Sequence, residues 1–372
     1  MTIGIPKEIK DNEFRCAILP ATVKTLVSRG HRIIIEKDTG IGSGVSDEEF
    51  LSAGAEIMSN PAAVYENSDM IVKVKEPQKE EYKHLREDLI LFTFLHLAPL
   101  LDLTGELLKK KVIAIAYETM KEENGYLPLL APMSEIAGRM SIQIGARFLE
   151  KAQGGSGILL AGIPGVEPGH VTILGAGNAG ANAARIASAL GASVTVLDID
   201  PHRLTRLDER YEGRIHTLMS NTHNIEEEIK KADLLIGAVL ITGKKAPKLI
   251  SKETLLTMKK NSIIVDIAID QGGCIETSRP TSHSKPVFIE NDILHYCVPN
   301  IPGAVPRTSS FALTNATAPF ILEIVEKGLI KAITENNTLK SGINTFTGML
   351  VNKEVAESQS RTYEDINKIL GI

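Results

Sequence analysis

The chain has 372 residues and a formal net charge of −5 at pH 7. No run of apolar residues reaches the roughly 18 that span a bilayer, and lysine and arginine residues are scattered, which argues against membrane and nucleic-acid partners. The three cysteines, Cys16, Cys274 and Cys297, are far apart and lack the spacing of metal ligands. Together with the lack of a signal-peptide pattern at the N-terminus, these cysteines predict a cytoplasmic protein whose thiols are reduced. The length predicts two domains.

The first 130 residues alternate between short apolar runs and helix-like segments, which predicts a parallel, doubly wound α/β sheet. The apolar runs contain almost no polar residues, as expected for strands that are covered on both faces. Helices are predicted at residues 21–29 and 99–110. Strands are predicted at residues 3–5, 32–36, 70–74, 89–95 and 112–117.

Ionisable residues follow three successive strands of this predicted sheet: Lys75, His96 and Glu118. Because ligands bind beyond the carboxyl ends of strands in open α/β sheets, these residues are candidates for one functional rim. Each has an ordinary alternative, since any of them can be a solvated loop residue. His96 lies between apolar neighbours and can also be a core histidine.

Residues 131–170 are predicted to connect two domains. Pro132 and Ser134 mark a predicted helix start, with Ser134 as a possible N-cap, and the helical pattern continues to Glu150. Glycine-rich segments at 153–157 and 162–165 then precede the next strand.

The most informative stretch is a strand, a glycine turn, a helix and a second strand that ends on an acid. Gly175 would make the tight turn, Gly177 would let a pyrophosphate approach the backbone, and Gly180 would let the helix pack on the sheet. The helix N-terminus would offer N–H groups to phosphates. Asp198 would bind the adenosine ribose hydroxyls. The pattern predicts a dinucleotide-binding unit, whereas glycines used only for packing would leave the terminal acid unexplained.

Strand–helix alternation then resumes and completes a predicted six-stranded Rossmann set, with polar Ser220, Asp270 and Asn300 at strand ends. Residues 310–372 have helical patterning and no strand signal, and they are predicted to return to the first domain. The predicted domains are therefore 1–130 with 306–372, and 131–305. The predicted strands of the second domain are 171–174, 193–198, 215–220, 234–239, 263–268 and 294–298.

Several motifs together resemble the alanine dehydrogenase family, and the resemblance covers essentially the whole chain. They include Glu13-Phe-Arg15, VKVKEP at 72–77, FLHLA at 94–98, GIPGV at 162–166 and VDIAIDQGGC at 265–274. The same fold and several motifs recur in the nucleotide-binding part of proton-translocating transhydrogenases.

The resemblance implies roles for particular residues in a reversible oxidative deamination of L-alanine to pyruvate and ammonium with NAD. Arg15 would hold the substrate carboxylate, Lys75 would polarise the pyruvate carbonyl, and His96 and Asp270 would be catalytic. It also implies a homohexamer, an active-site cleft between two Rossmann-like domains, and no metal. Besides Asp270 and the three glycines, the implied cofactor contacts are Ser134, Asn178, Asp198, Arg203, Ser220, Val239, Leu240, Ile267, Arg279, Val298 and Asn300.

Three alternatives remain open at the level of sequence. The chain could be a dehydrogenase for glycine or serine, because a substrate difference of one small group changes the binding free energy in a pocket by only about 1–3 kcal/mol. A transhydrogenase-like nucleotide subunit would lack an intact carboxylate clamp and would need a membrane partner. A non-catalytic NAD-sensing module would bind NADH without forming it.

Overall fold

The computed structural model describes residues 1–239 and 246–371. It divides into two compact units, Met1–Met133 with Val305–Ile372 and Ser134–Ala304. Within the described residues, no helix is both long enough and apolar enough to cross a membrane.

The first segment of unit 1 alternates six strands with short helices. Its elements are β1 (Thr2–Ile5), α1 (Pro20–Ser28), β2 (Arg32–Glu36), α2 (Asp47–Ser52), β3 (Glu56–Met58), α3 (Pro61–Glu66), β4 (Met70–Val72), β5 (Ile90–Thr93), α4 (Leu101–Lys109) and β6 (Ile113–Ala116).

Unit 2 repeats this alternation with a long first helix, α5, which starts just before the boundary between the units. Its elements are α5 (Ala131–Phe148), β7 (His170–Leu174), α6 (Asn178–Ala189), β8 (Ser193–Asp198), α7 (Pro201–Tyr211), β9 (His216–Met219), α8 (Thr222–Ile229), β10 (Leu234–Gly237), α9 (Lys252–Leu255), β11 (Ile263–Asp266), β12 (Val287–Glu290) and β13 (Ile293–Tyr296).

The C-terminal segment returns to unit 1. It contains α10 (Pro306–Lys327), α11 (Leu329–Glu335), α12 (Asn337–Ser341), β14 (Ile343–Phe346), β15 (Met349–Leu350), α13 (Lys353–Gln359) and α14 (Ile366–Leu370).

The unit 1 sheet has the order β15-β14-β6-β5-β4-β1-β2-β3. Strands β1 to β6 are mutually parallel. The chain first winds outward from β1 through β2 and β3, and then in the other direction through β4, β5 and β6. The strand order therefore reverses between β1 and β4, which is where open α/β sheets bind ligands. The predicted doubly wound architecture is confirmed.

The expectation of no strand in residues 310–372 is wrong. Strand β14 pairs antiparallel with β6, and β15 pairs antiparallel with β14. The pattern hides β14 because two of its four residues, Asn344 and Thr345, are polar yet buried. Their side chains find partners in the first segment: Asn344 Nδ2 donates to Thr119 Oγ1 at 2.8 Å, and Thr345 Oγ1 donates to the carbonyl of Val112 at 2.8 Å.

The unit 2 sheet has the order β12-β13-β11-β10-β7-β8-β9, with β12 as an antiparallel edge strand. The six predicted strands are present, and β12 was missed. Asn291 and Asp292, both with positive φ, join β12 to β13, which is the two-residue hairpin turn that such residues favour. The strand order reverses between β7 and β10, the Rossmann switch point.

Ser134 is not an N-cap, contrary to the prediction. Helix α5 begins at Ala131, so Ser134 lies within its first turn. Pro132 is compatible with this earlier start. It is the second residue of the helix, where a backbone N–H has no acceptor within the helix, so the N–H that proline lacks costs no hydrogen bond.

A buried histidine in strand β13 of the unit 2 sheet predicts a pH-dependent stability. His295 is fully buried, with Nδ1 3.0 Å from the carbonyl of Ile293 and Nε2 2.8 Å from Thr277 Oγ1. Burial lowers the pKa of His295 below its ordinary value of 6.5. The folded state therefore binds this proton less readily than the unfolded state, and stability should fall as pH decreases through about 6.5. Melting temperatures measured from neutral to mildly acidic pH should fall less steeply for His295→Gln, and an unchanged slope would contradict this assignment.

Candidate functional site

The carboxyl ends of the parallel strands of unit 1 lie on one edge of the sheet. Arg15 is in the segment after β1, Lys75 follows β4, His96 follows β5 and Glu118 follows β6. The segments after β1 and β4 flank the switch point, so Arg15 and Lys75 are on its two sides.

Arg15 is buried and is oriented by the acid two residues before it. Its Nε lies 2.7 Å from Glu13 Oε1 and its Nη2 lies 2.5 Å from Glu13 Oε2, a two-point contact that fixes the guanidinium plane. Nη1 lies 3.2 Å from the sulfur of Met133. Arg15 is only 2% exposed, so the guanidinium is desolvated. This setting strengthens its attraction for a carboxylate.

Lys75 belongs to the same charged group. It is 8% exposed. Burial alone would raise the pKa of Glu13, but Arg15 and, to a smaller extent, Lys75 lower it below its ordinary value. Lys75 is therefore within electrostatic reach of the pair formed by Glu13 and Arg15. Thr93, the last residue of β5, donates its hydroxyl to the Lys75 carbonyl at 2.9 Å. The structure thus brings two cations and one acid together at the switch point.

A buried ion pair beneath Lys75 joins the two sides of the switch point. Glu8, in the segment after β1, accepts the backbone N–H of Val74 at 2.6 Å and of Lys75 at 3.2 Å. Its other oxygen lies 3.2 Å from Nζ of Lys73, which is 2.8 Å from Glu81. Burial would lower the pKa of Lys73, but the carboxylates of Glu8 and Glu81 raise it to about 12. Lys73 is therefore a permanent buried cation.

His96 has an unusual backbone conformation. Its φ is +48°, which is rare for a residue with a side chain. Glu118 holds this turn by accepting the N–H of His96 at 2.6 Å and of Leu95 at 3.2 Å. The ring of Phe94 stacks on the imidazole at 5.7 Å, and the His96 side chain is 44% exposed. The imidazole is thus fixed but accessible, which excludes the core-histidine alternative.

The sequence reasoning missed Glu8, Glu13 and Lys73. A signal existed for Lys73, since a charge in the apolar run Met70-Ile-Val-Lys-Val74 requires a buried partner. Glu13 was part of a quoted motif, but nothing local indicates that it binds Arg15. The choice of Glu8 as a partner depends on strand order, which the sequence does not display.

In unit 2 the carboxyl edge of the parallel strands carries the implied cofactor residues. Ser220 and Gly175 follow β9 and β7, and Asp198 is the last residue of β8, all on one side of the switch point. Leu240 lies outside the described residues. On the other side, half-buried Val239 follows β10, Ile267 and exposed Asp270 follow β11, and buried Val298 and half-buried Asn300 follow β13.

The glycine turn has the geometry that its sequence predicts. Gly175 has a φ of +101°. A Cβ on Gly180 would lie 1.7 Å from the carbonyl oxygen of Gly175, so only glycine fits where α6 crosses the turn. Helix α6 begins at Asn178 with Gly177 as its N-cap. Unpaired N–H groups and the positive end of the helix dipole lie at this turn, as a pyrophosphate requires.

Asp198 braces the glycine turn. It is 5% exposed, and its Oδ2 accepts the N–H of Ala176 at 2.5 Å while Oδ1 accepts that of Asp200 at 2.8 Å. Exposed Arg203 has Nη1 3.6 Å from Asp198 Oδ2. The backbone N–H of Ser220 donates to the Asp198 carbonyl. Each carboxylate oxygen of Asp198 has a second lone pair, so this side chain can also accept a hydrogen bond from a ribose hydroxyl beside the glycine turn.

Three of the implied residues belong to other segments of unit 2. Asp270 is in a one-turn 3₁₀ helix, Ile267–Gln271. The guanidinium of exposed Arg279 lies 4.3 Å above the ring of Phe288. Ser134 is half-buried in α5. Among the described residues, no group of three or more His, Cys, Asp or Glu could hold a metal ion.

Both units are doubly wound α/β sheets with Rossmann-type switch points, and unit 2 has the nucleotide-binding turn. Family sequence models match both halves of the chain: the alanine dehydrogenase/PNT N-terminal domain at residues 4–137 and the C-terminal domain of the same family at residues 141–353. The chain belongs to the alanine dehydrogenase/PNT family. Family and fold imply a nicotinamide nucleotide cofactor.

Known relatives cover the full length. The chain is 52% identical over 371 residues to an alanine dehydrogenase from Methanococcus maripaludis and to one from Staphylococcus saprophyticus, with complete coverage of all chains. A solved L-alanine dehydrogenase has a TM-score of 0.94 and 46% identity, covering 97% of this chain and 99% of its own. A transhydrogenase from Sinorhizobium meliloti, 24% identical with a TM-score of 0.80 and covering 94% and 100% of the two chains, shares the fold.

Substitution of Gly180 should damage the nucleotide site specifically. The Cβ of Gly180→Ala must displace the carbonyl of Gly175, which should destabilise the protein by about 1–3 kcal/mol and weaken NADH binding. Gly105 in α4 is a matched control, because its Cβ would meet only Arg361, at 3.8 Å. Gly105→Ala should be neutral or stabilise the protein by up to about 1 kcal/mol. Thermal melting and NADH fluorescence titration measure both effects, and equal results for the two variants would contradict this account.

Proposed function

We propose that this protein is an NAD-dependent L-alanine dehydrogenase. The reaction converts L-alanine, NAD⁺ and water into pyruvate, ammonium, NADH and a proton. The observation that carries the proposal is the switch-point group of unit 1, in which Glu13 binds buried Arg15 and lies within electrostatic reach of buried Lys75, on the same edge of the sheet as the accessible His96. The full-length similarity to alanine dehydrogenases supports the same substrate.

The two cations bind and orient the substrate. Arg15, whose guanidinium plane is fixed by Glu13, would bind the α-carboxylate. The ammonium of Lys75 polarises the carbonyl oxygen of pyruvate in the reductive direction. Orientation of this kind contributes several kcal/mol to a reaction barrier.

His96 and Asp270 handle the proton and the charge. A nicotinamide nucleotide held by unit 2 would supply the acceptor for the hydride that leaves the α-carbon of alanine. His96 then acts as general base for the water that attacks the resulting iminium, a role that suits an imidazole near neutral pH. Asp270 would orient His96 or the attacking water, and its carboxylate would balance the positive charge of the iminium.

The remaining implied residues hold the dinucleotide. The pyrophosphate would bind at the turn formed by Gly175, Gly177, Asn178 and Gly180. The adenosine ribose would bind at Asp198 and Arg203. We infer that NAD is the working cofactor and that the homohexamer implied by the resemblance is the assembly. The further contacts are Ser134, Ser220, Val239, Leu240, Ile267, Asp270, Arg279, Val298 and Asn300.

The direct test is NADH formation with a panel of small amino acids. Alanine should give the highest kcat/KM, with glycine and serine lower because they lack the methyl group or add a hydroxyl. A higher value for glycine or serine would favour that substrate. NADH binding without formation from any amino acid would favour the sensing module or the transhydrogenase-like subunit.

We expect NAD to be preferred over NADP. The carboxylate of Asp198 would face a 2′-phosphate, and repulsion of about 1–4 kcal/mol corresponds to roughly five- to a thousandfold in kcat/KM. Asp198→Asn should narrow this gap while still accepting one of the two backbone N–H groups, whereas Asp198→Ala removes both acceptors and should weaken both cofactors. Equal kcat/KM with NAD and NADP in the unmodified enzyme would contradict the assignment.

We expect His96→Gln to abolish most turnover without loss of structure. Glutamine keeps a polar side chain but cannot shuttle a proton, so kcat should fall on the order of 10²–10⁴-fold. The melting temperature and the NADH dissociation constant should stay near those of the unmodified protein. A lower melting temperature with near-normal turnover per folded molecule would assign His96 a structural role instead.

Glu13→Gln should separate substrate binding from cofactor binding. The amide places a donor against the guanidinium, so Arg15 loses its fixed plane and KM for pyruvate should rise by about tenfold or more. NADH affinity should be unchanged. Glu56→Gln is the matched control, because Glu56 makes the same two-point contact with Arg32 on an exposed surface, at 2.7 and 2.6 Å. A similar KM in both variants would show that Glu13 does not orient Arg15.

A further inference from the structure

The loop that carries Asp270 is held from inside by a buried acid. Asp266, at the end of β11, is 1% exposed, and its Oδ1 accepts the N–H of Ala268 at 3.1 Å. Its Oδ2 accepts the N–H of Cys274 at 3.0 Å. One carboxylate therefore joins the start and the end of a loop whose exposed middle contains Asp270.

The same loop is held from outside by a lysine. Lys248 Nζ donates to the carbonyls of Gly272 at 2.6 Å, Gly273 at 2.9 Å and Ile275 at 3.0 Å. The backbone beside Lys248 adds to this contact, since Leu249 donates its N–H to the carbonyl of Cys274 at 2.8 Å. All three donors of the ammonium thus end on the loop.

The loop needs such fixing because of its glycines. Gly272 and Gly273 are consecutive and both have positive φ, 91° and 75°. Glycine has the largest conformational freedom of any residue, so two in succession leave the turn poorly specified by the backbone alone. A Cβ on Gly273 would lie 2.6 Å from Asp266 Oδ2, so the glycine also makes room for the acid.

We propose that Lys248 and Asp266 are positioning residues that fix the Asp270 loop in its reactive geometry. Asp266 aligns the two ends of the loop through their N–H groups, and Lys248 aligns the glycine turn through its carbonyls. This inference rests on the proposed role of Asp270. Neither residue is required to touch the substrate or the cofactor.

The first experiment compares two exposed lysines. Lys248→Met keeps the aliphatic chain and removes the three donors, and kcat should fall on the order of 10- to 100-fold, as expected for a displaced catalytic group. KM for alanine should change little, and Lys248→Arg should restore part of kcat. Lys259→Met is the control, because Lys259 Nζ binds Asp233 at 2.9 Å and, among the described residues, makes no hydrogen bond or ion pair with the loop. It should keep kcat within about twofold. Equal kcat for the two methionine variants would overturn the proposal.

A double-mutant cycle separates positioning from general stabilisation. If Lys248 acts through Asp270, Lys248→Met should cause no further loss of kcat in an Asp270→Asn background. An additive loss would overturn the proposal. If Asp270→Asn alone keeps full turnover, the proposed role of Asp270 is wrong. This outcome is distinct from one in which Asp270 is needed but Lys248 does not position its loop.

The contact of Asp266 with the two ends of the loop is tested with Asp266→Asn. The amide has the same size and shape as the carboxylate but offers only one acceptor oxygen to the N–H groups of Ala268 and Cys274. It should lower kcat as Lys248→Met does and also be non-additive with Asp270→Asn. Hydrogen exchange of the loop N–H groups should accelerate in both variants. Exchange unchanged from that of the unmodified protein would overturn the proposal.

Discussion

The structure of unit 1 depends on burying cations at the switch point of its sheet. Taking a guanidinium and two ammonium groups out of water is costly unless carboxylates meet them with good geometry. Glu13 meets Arg15 on its own segment, and Glu8 meets Lys73 across the switch point. Because Glu8 also accepts the backbone N–H of Lys75, the ion pair that makes the burial possible also fixes the backbone of the lysine that we propose binds the substrate.

The two units apply one principle, in which side-chain carboxylates hold the backbone of functional loops. Glu118 holds the turn of His96, Asp198 holds the glycine turn, and Asp266 holds the loop of Asp270. In each case a backbone N–H that would otherwise lack a secondary-structure partner finds a charged acceptor, which gives a stronger hydrogen bond than a neutral one. Loops that contain residues with positive φ are thereby held in a defined conformation.

Much of the fold could be predicted because its signals are local. The glycine turn between β7 and α6 is recognised from a few consecutive residues. The parallel strands are short and mostly apolar, and they alternate with helices, so the doubly wound class follows from the pattern. Four strands were missed, and none has a clear local signal. β14 contains two buried polar residues, and β12 lies at an edge beside a hairpin turn. β3 and β15 are edge strands of only three and two residues.

The sequence by itself determined the fold class, the nucleotide-binding turn and the ionisable residues at strand ends, because each is encoded within one strand and the residues after it. Only the tertiary structure decided which groups meet. Glu8 and Val74 are 66 positions apart, and Lys248 and Gly272 are 24 apart. Such pairs depend on strand order and loop paths, and a buried charge requires a partner without specifying where in the chain that partner lies.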